Sequence, residues 1–312
     1  MKVGSKLRVF IYDHAPPHLH DAEKAYFDCT PFSKAGIERW CEIVEPQDAQ
    51  FFLCGQYHDK DAWLLHPNRF DYFAENSERH IFDIEGDWPQ MEVPAWLAGS
   101  PISVVNLPWP GREKFRFAYT RPTFSKLFVQ LAKFESSEFA PLKYRKMAFR
   151  GQRDMYGVRE KVHDAVRNSG VESEFSFTDQ WHGPTDTANP IVAEYRQFML
   201  DHAFSLCIAG TGHTTARFFE TCCFGRVPIV INDKAIFAEE HYDTSFAFHL
   251  PTTLGVEDMA EQLGKIFAIP DTEMLDRCAA ARAYFNGPVR EYFKDPTLYF
   301  LRQMRRDGLI EV

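Results

Sequence analysis

The first apolar run of the chain, Leu7-Arg8-Val9-Phe10-Ile11-Tyr12, stops at Asp13-His14 ahead of a Pro16-Pro17 break. It reads as an opening strand that delivers polar groups at its carboxyl end. Further apolar runs at residues 49–54, 79–84 and 103–106 read as strands, with helical spacing between them around 34–41 and 67–76. Short, nearly continuous apolar strands alternating with helices predict a largely parallel sheet covered on both faces.

A helix over 125–133 and a polar connector, Glu135-Ser136-Ser137-Glu138, then predict a domain boundary near Pro141. The pattern restarts with a strand at 146–150, Gly151, a charged helix at 158–168 and a strand at 174–177. A Gly/Pro/Asn/Thr-rich loop at 182–190 and a helix at 192–201 follow. The best-marked stretch is a strand at 204–209, the loop Gly210-Thr211-Gly212-His213-Thr214, a helix at 215–224 and a strand at 227–231. Two such halves predict an α/β chain of two doubly wound, Rossmann-like domains, at 1–140 and 141–290, with a last helix in 291–312 packing back on the first.

Composition narrows the possibilities. Of 312 residues, 45% are hydrophobic and 29 are Phe, which excludes a disordered chain. The net charge of −9 gives no bulk attraction to nucleic acid or anionic lipid, so any bound anion must meet a local cluster. No window approaches about 18 consecutive apolar residues, and the first residues lack a signal-peptide core, so no integral membrane segment is expected. Seven cysteines with no C-x-x-C pair suggest buried reduced thiols and a cytoplasmic setting. His14, His18 and His20 have no partners at metal-ligand spacing, and no metal is expected.

The loop from Gly210 lies where a strand hands over to a helix, a position that exposes backbone N–H groups to an anion such as phosphate. Gly210-x-Gly212 equally fits a tight turn, and it lacks both the third glycine of a dinucleotide fingerprint and a P-loop lysine. Arg217 in the first helical turn offers a fork suited to phosphate, and Glu220 can accept from ribose hydroxyls. The plainer reading is a surface pair worth about 0.3–0.5 kcal/mol. A second cluster, Phe149-Arg150-Gly151-Gln152-Arg153, follows the opening strand of the second half, where solvated loop arginines are the alternative. Both clusters fall at strand carboxyl ends, the ligand edge of a doubly wound sheet.

These residues carry a resemblance. Arg79-His80-Ile81-Phe82 leading into Gly86-Asp87-Trp88-Pro89 looks like the exostosin segment running from an Asn-His-apolar strand into Gly-Thr-Trp-Pro. Tyr144-Arg145-Lys146 through Arg150-Gly151-Gln152-Arg153, Tyr156-Gly157 and Arg159 is similar to that family's Phe-Lys-Gly-Lys-Arg-Tyr motif. Glu194-Tyr195-Arg196, Phe204-Ser205-Leu206-Cys207, Gly210, Arg217-Phe218-Phe219-Glu220 and Val227-Pro228-Ile229-Val230 resemble its later series in the same order. The resemblance, over about positions 79–285, is to exostosin-like glycosyltransferases of family 47. It implies a GT-B fold whose two domains face a cleft, and an inverting, metal-independent enzyme without a cofactor. Its substrates would be a nucleoside diphosphate sugar, UDP-linked, and a glycan hydroxyl.

By that resemblance Arg150, Gly151, Arg153, Gly210, Thr211, Gly212, His213, Thr214, Arg217 and Glu220 are donor-site candidates. The loop departs from the arginine-rich loop of the animal enzymes, and neither the membrane anchor nor the second catalytic domain of those proteins is expected here. An inverting transfer needs one general base. Strand ends of the first half offer Asp13, Asp83, Glu85 and Asp87; Asp87 is preferred for its place in the Gly-Asp-Trp-Pro turn, and Asp13 comes second. His14 and Trp88 are candidate acceptor contacts, Trp88 by stacking on a sugar ring. The rival reading is a carbohydrate- or nucleotide-binding protein that keeps the fold without turnover. A Rossmann-type oxidoreductase is disfavoured by the incomplete glycine pattern.

Overall fold

The computed structural model describes residues 6–12, 34–58, 70–85, 102–106, 117–119, 142–153, 157–178, 190–210, 215–233 and 243–310. Two compact units divide the chain, residues 1–122 with 291–312 and residues 123–290. The expected helix at 125–133, the boundary near Pro141 and nearly all of the 182–190 loop lie outside the described residues. None of the described helices is long and apolar enough to cross a membrane.

Unit one holds β1 (Leu7–Ile11), α1 (Lys34–Trp40), β2 (Cys41–Ile43), β3 (Phe51–His58), α2 (Phe73–Asn76), β4 (His80–Glu85), β5 (Ile102–Asn106) and β6 (Phe117–Tyr119). Its strands pair in the order β2-β1-β3-β4-β5-β6, every pair parallel. Cys41, which helical spacing places at the end of α1, instead opens β2 opposite Leu7. The core joins Leu7, Val9, Leu53 and Ile81 of the sheet to Ile37 of α1.

Unit two holds β7 (Tyr144–Gln152), α3 (Val158–Ser169), β8 (Ser173–Thr178), α4 (Pro190–Asp201) and β9 (His202–Ile208). It continues with α5 (Ala216–Cys223), β10 (Val227–Ile231), β11 (Phe248–Leu250), α6 (Val256–Phe267) and α7 (Asp271–Tyr284). The strand order is β11-β10-β9-β7-β8, again all parallel. Every residue of β9 and β10 is buried, the polar His202 and Ser205 of β9 included, as expected of strands covered by helices on both faces. Val162, Ala165 and Val166 form the buried stripe of α3, and α6 buries Met259, Ala260, Leu263 and Ile266. Gly170 ends α3 at φ 69°, the left-handed cap conformation that favours glycine.

After α7 the chain returns to unit one through α8 (Arg290–Lys294) and α9 (Pro296–Arg306). Phe300, Met304 and the following Ile310 enter the core of unit one. Asp295 caps α9 by accepting from Leu298 N–H at 2.9 Å, and it also accepts from the Trp40 indole N–H at 2.7 Å. The run Arg302-Gln303-Met304-Arg305-Arg306, which by charge alone reads as a solvated face, straddles two faces: Arg302, Arg305 and Arg306 are exposed, while Gln303 and Met304 are buried. Helical periodicity overrides local charge here.

The thiols of Cys41, Cys54, Cys207, Cys222, Cys223 and Cys278 are buried and unpaired. Burial pushes each of them up, which leaves little thiolate at neutral pH for nucleophilic or redox work.

A buried histidine gives unit one a pH dependence. His80 is 0% exposed and lies parallel to Phe52 with ring centroids 4.6 Å apart. Its Nδ1–H donates to the Asn76 carbonyl at 2.7 Å, so Nε2 accepts from the Tyr12 hydroxyl at 2.9 Å. Burial brings its pKa down to about 4, against the pull of the Asn76 hydrogen bond and with the Arg79 charge acting in the same downward direction. An unfolded histidine titrates near 6.5 and is protonated first as pH falls. The stability this neutral imidazole contributes is therefore complete above about pH 6.5 and is lost as pH falls toward about 4, by up to about 1.4 kcal/mol per pH unit. Chemical unfolding midpoints across that window should fall more steeply for the wild type than for His80→Gln, and equal slopes would rule this out.

Candidate functional site

Ligands of open parallel sheets bind beyond the strand carboxyl ends, where the strand order reverses. In unit two the chain leaves β7 for β8 on one side and returns to β9 on the other, so the reversal falls between β7 and β9. These two strands pair only as far as Ala148 opposite Ser205, whereas β7 stays paired with β8 out to Gln152 opposite Thr178. The last residues of β7 thus have one edge without a strand partner.

Two arginines fill that edge. Arg217, in the first turn of α5, donates through Nη2 to the Arg150 carbonyl, and its guanidinium carbon sits 4.4 Å from the centre of the Phe149 ring. Arg159, in the first turn of α3, donates through Nη1 to the Gln152 carbonyl at 2.5 Å and lies 5.5 Å from the same ring. The two side chains cross. Arg217 starts beyond β9 and reaches Gly151 on β7, where a Cβ would stand 3.1 Å from its Nη2. Arg159 starts beyond β7 and reaches Gly210 beyond β9, where a Cβ would stand 3.0 Å from its Nη2.

Neither glycine has a positive φ. Position 210 therefore needs no glycine for its own φ, and a Cβ there would crowd the Arg159 guanidinium. Arg217 Nη1 is enclosed and has no hydrogen-bond partner among the described residues. Leaving an enclosed donor without an acceptor costs about 1–3 kcal/mol, more when it is charged. An anion placed there would remove that cost.

Glu220 is 4% exposed and accepts from the Tyr195 hydroxyl at 2.7 Å. Burial pushes the Tyr195 phenol well up, the Glu220 charge acts in the same direction, and the Arg217 charge opposes them. Glu220, Arg217 and Tyr195 thus form one electrostatic group on the inner side of α5.

The remaining candidates are placed differently. Arg150 contributes its carbonyl to the crevice while its side chain pairs with Glu194 at 3.1 Å. Arg153 is exposed, pairs with Glu160 at 2.8 Å and lies 4.7 Å over the Phe177 ring. Thr211, Gly212, His213 and Thr214 lie outside the described residues, as do Asp13, His14, Asp87 and Trp88. Asp83 and Glu85 lie on β4, opposite Gln56 and His58 of β3. In unit one the strand order reverses between β1 and β3, and β1 leads directly to Asp13 and His14.

Sequence reasoning did not select Arg159 or Tyr195 as site residues. A signal for Arg159 was present, because a cation in a first helical turn opposes the helix dipole. Two helices of unit two, α3 and α5, carry an arginine there, each directly after a strand end. Guanidiniums gathered at one strand end beside the start of α5 are chemistry suited to an anion.

No family model matches the chain, and no curated protein matches it in sequence. Among solved structures it is similar to an α,α-trehalose-phosphate synthase (UDP-forming) from Burkholderia vietnamiensis, with a TM-score of 0.52 and 11% identity over 96% of this chain and 100% of that one. A glycosyltransferase from Rickettsia africae gives a TM-score of 0.46 at 9% identity, over 95% of this chain and 98% of that one. An α-glucosyltransferase in complex with UDP-glucose and DNA containing an abasic site gives 0.34 at 10%, over 97% and 99%. The chain has the GT-B fold of two Rossmann-like α/β units, each built on a parallel sheet. The likeness is to GT-B structures in general; the exostosin resemblance rests on the motifs of the sequence.

Proposed function

We propose that the chain is an inverting, exostosin-like glycosyltransferase that moves a sugar from a UDP-linked donor to a glycan hydroxyl in the cytoplasm, without a bound metal or cofactor. The observation that carries this reading is the enclosed, unpartnered Nη1 of Arg217 at the strand reversal of unit two. A cation held there by a backbone carbonyl and an aromatic face is preorganised for a diphosphate. A UDP-forming enzyme on the same fold adds support for the uridine nucleotide.

Residues 141–290 take the donor. Arg217 and the first N–H groups of α5 receive the diphosphate, with Gly151 and Gly210 leaving room for the guanidiniums that line the crevice. Glu220, held by Tyr195, accepts from the ribose hydroxyls. Arg150, Arg153 and the loop of Thr211, Gly212, His213 and Thr214 complete the donor surface. Residues 1–140 take the acceptor, with Asp87 as general base, Asp13 as the second choice, and His14 and Trp88 against the acceptor glycan.

In the reaction the base removes the acceptor hydroxyl proton as that oxygen attacks the anomeric carbon. The bond from that carbon to the phosphate oxygen breaks, and the leaving diphosphate's growing charge meets Arg217. A ligand bound only by the native state raises apparent stability. Millimolar UDP or UDP-sugar should therefore raise the melting temperature, and UDP should be released from a UDP-sugar in the presence of oligosaccharide acceptors and excess EDTA. No shift with any nucleoside diphosphate would overturn the reading, and a shift without turnover would identify the non-catalytic alternative.

A further inference from the structure

We infer that Tyr195 is a positioning residue that keeps Glu220 off Arg217, so that the Arg217 fork meets the phosphates of the donor with its charge intact. The inference rests on the reading of Arg217 as the diphosphate contact and adds a residue that controls it. Opposite charges three residues apart on a helix lie side by side and ordinarily pair. Arg217 and Glu220 stand at that spacing on α5, yet their bonds run elsewhere. Arg217 gives its Nη2 to the Arg150 carbonyl and lies 4.4 Å from the centre of the Phe149 ring, while its enclosed Nη1 has no hydrogen-bond partner among the described residues. Glu220 Oε2 accepts instead from the hydroxyl of Tyr195 on α4 at 2.7 Å, a length typical of a hydrogen bond to a charged oxygen.

Packing alone does not account for the Tyr195 hydroxyl, since phenylalanine would present the same ring. The hydroxyl is directed at a carboxylate that is 4% exposed, where attraction between charges is far less screened than at a surface. Arg217 and Glu220 share that environment. Burial pushes the Tyr195 phenol and the Cys207 thiol up, the Glu220 charge acts in the same direction on both, and the Arg217 charge opposes it. The phenol so raised keeps its proton at neutral pH and remains a donor. Without the hydroxyl the buried carboxylate loses that donor, and the guanidinium one turn back on its own helix can replace it through Nη1. An Arg217–Glu220 pair formed in this way would cancel the charge that the crevice offers to an anion.

Inorganic pyrophosphate, which has no ribose, and UDP are titrated calorimetrically into the full chain with EDTA present, and circular dichroism checks folding. Tyr195→Phe should weaken pyrophosphate binding by about tenfold or more. Glu220→Gln removes the carboxylate charge beside the guanidinium and should tighten it by about threefold. Adding Glu220→Gln to Tyr195→Phe should therefore restore pyrophosphate affinity to the wild-type level or above, a rescue that a merely structural tyrosine would not give. Should Tyr195→Phe not fold by itself, the double variant is compared with Glu220→Gln alone; equal affinities are expected, and a further loss overturns the inference. An unchanged affinity in Tyr195→Phe, or a loss that Glu220→Gln leaves in place, overturns the role of Tyr195 and leaves the Arg217 site standing. A wild type that binds neither UDP nor pyrophosphate overturns the diphosphate reading, and this inference with it.

Discussion

Replacing Arg217 by methionine should lower affinity for UDP by about 100-fold, the equivalent of roughly 2.7 kcal/mol. Methionine fills a similar space over Phe149, so the loss isolates the charge and the donors. Charge-assisted hydrogen bonds are worth about 1.5–3 kcal/mol each. The enclosed Nη1 has no protein acceptor to return to among the described residues, so the bound anion receives nearly the full strength of that interaction. The Arg150 carbonyl loses its donor as well, so a modest drop in melting temperature should accompany the loss of binding. Calorimetric titration of UDP, with circular dichroism to confirm folding, decides the matter. A folded variant whose UDP affinity stays within threefold of the wild type would move the donor site elsewhere.

The largest effect on stability should come from Arg226→Met, which should destabilise unit two by about 4 kcal/mol. Arg226 is 0% exposed. Its Nε and Nη2 donate to the Leu200 carbonyl at 3.1 and 2.5 Å, and its Nη1 donates to the carbonyls of Phe224 and Gly225, each at 3.1 Å. Those carbonyls belong to the last turn of α4 and to the residues that follow α5, so one buried cation sits at the negative ends of two helices. Burial lowers the guanidinium's pKa, yet an arginine keeps its proton at any physiological pH. Methionine would strand three buried acceptors, each costing about 1–3 kcal/mol, although its own side chain packs well. Urea unfolding of both proteins measures the difference. A loss below about 1 kcal/mol would mean that water or backbone movement satisfies the carbonyls.

The same contrast separates what was readable in the chain from what was not. The buried strands β9 and β10 and the helix between them are legible because their runs are nearly all apolar and Gly210 and Gly225 stand between them. The three-residue strands β2, β6 and β11 are too short for any periodicity to register. Arg226 looks like any charged residue after a helix, and only the convergence of α4 and α5 makes it a buried cap. His80 likewise reads as one polar residue opening a strand, and its neutrality follows from Phe52, Tyr12 and Asn76 closing around it.

The sequence by itself determined the α/β class and the alternation of strands and helices, because these depend on periodicity and chain length, which are local properties. It also led to the expectation that phosphate chemistry would gather at Arg150, Gly151, Arg153, Gly210, Thr211, Gly212, His213, Thr214, Arg217 and Glu220. The tertiary structure alone decided which arginine side chains reach the open edge of β7. Strand order set the reversal between β7 and β9, their divergence after Ala148 opened the edge, and two helix starts delivered Arg217 and Arg159 across it. Arg153 is drawn instead to Glu160 and Phe177. Side-chain reach across a gap depends on which strands are neighbours, and neighbours in a parallel sheet are far apart in sequence.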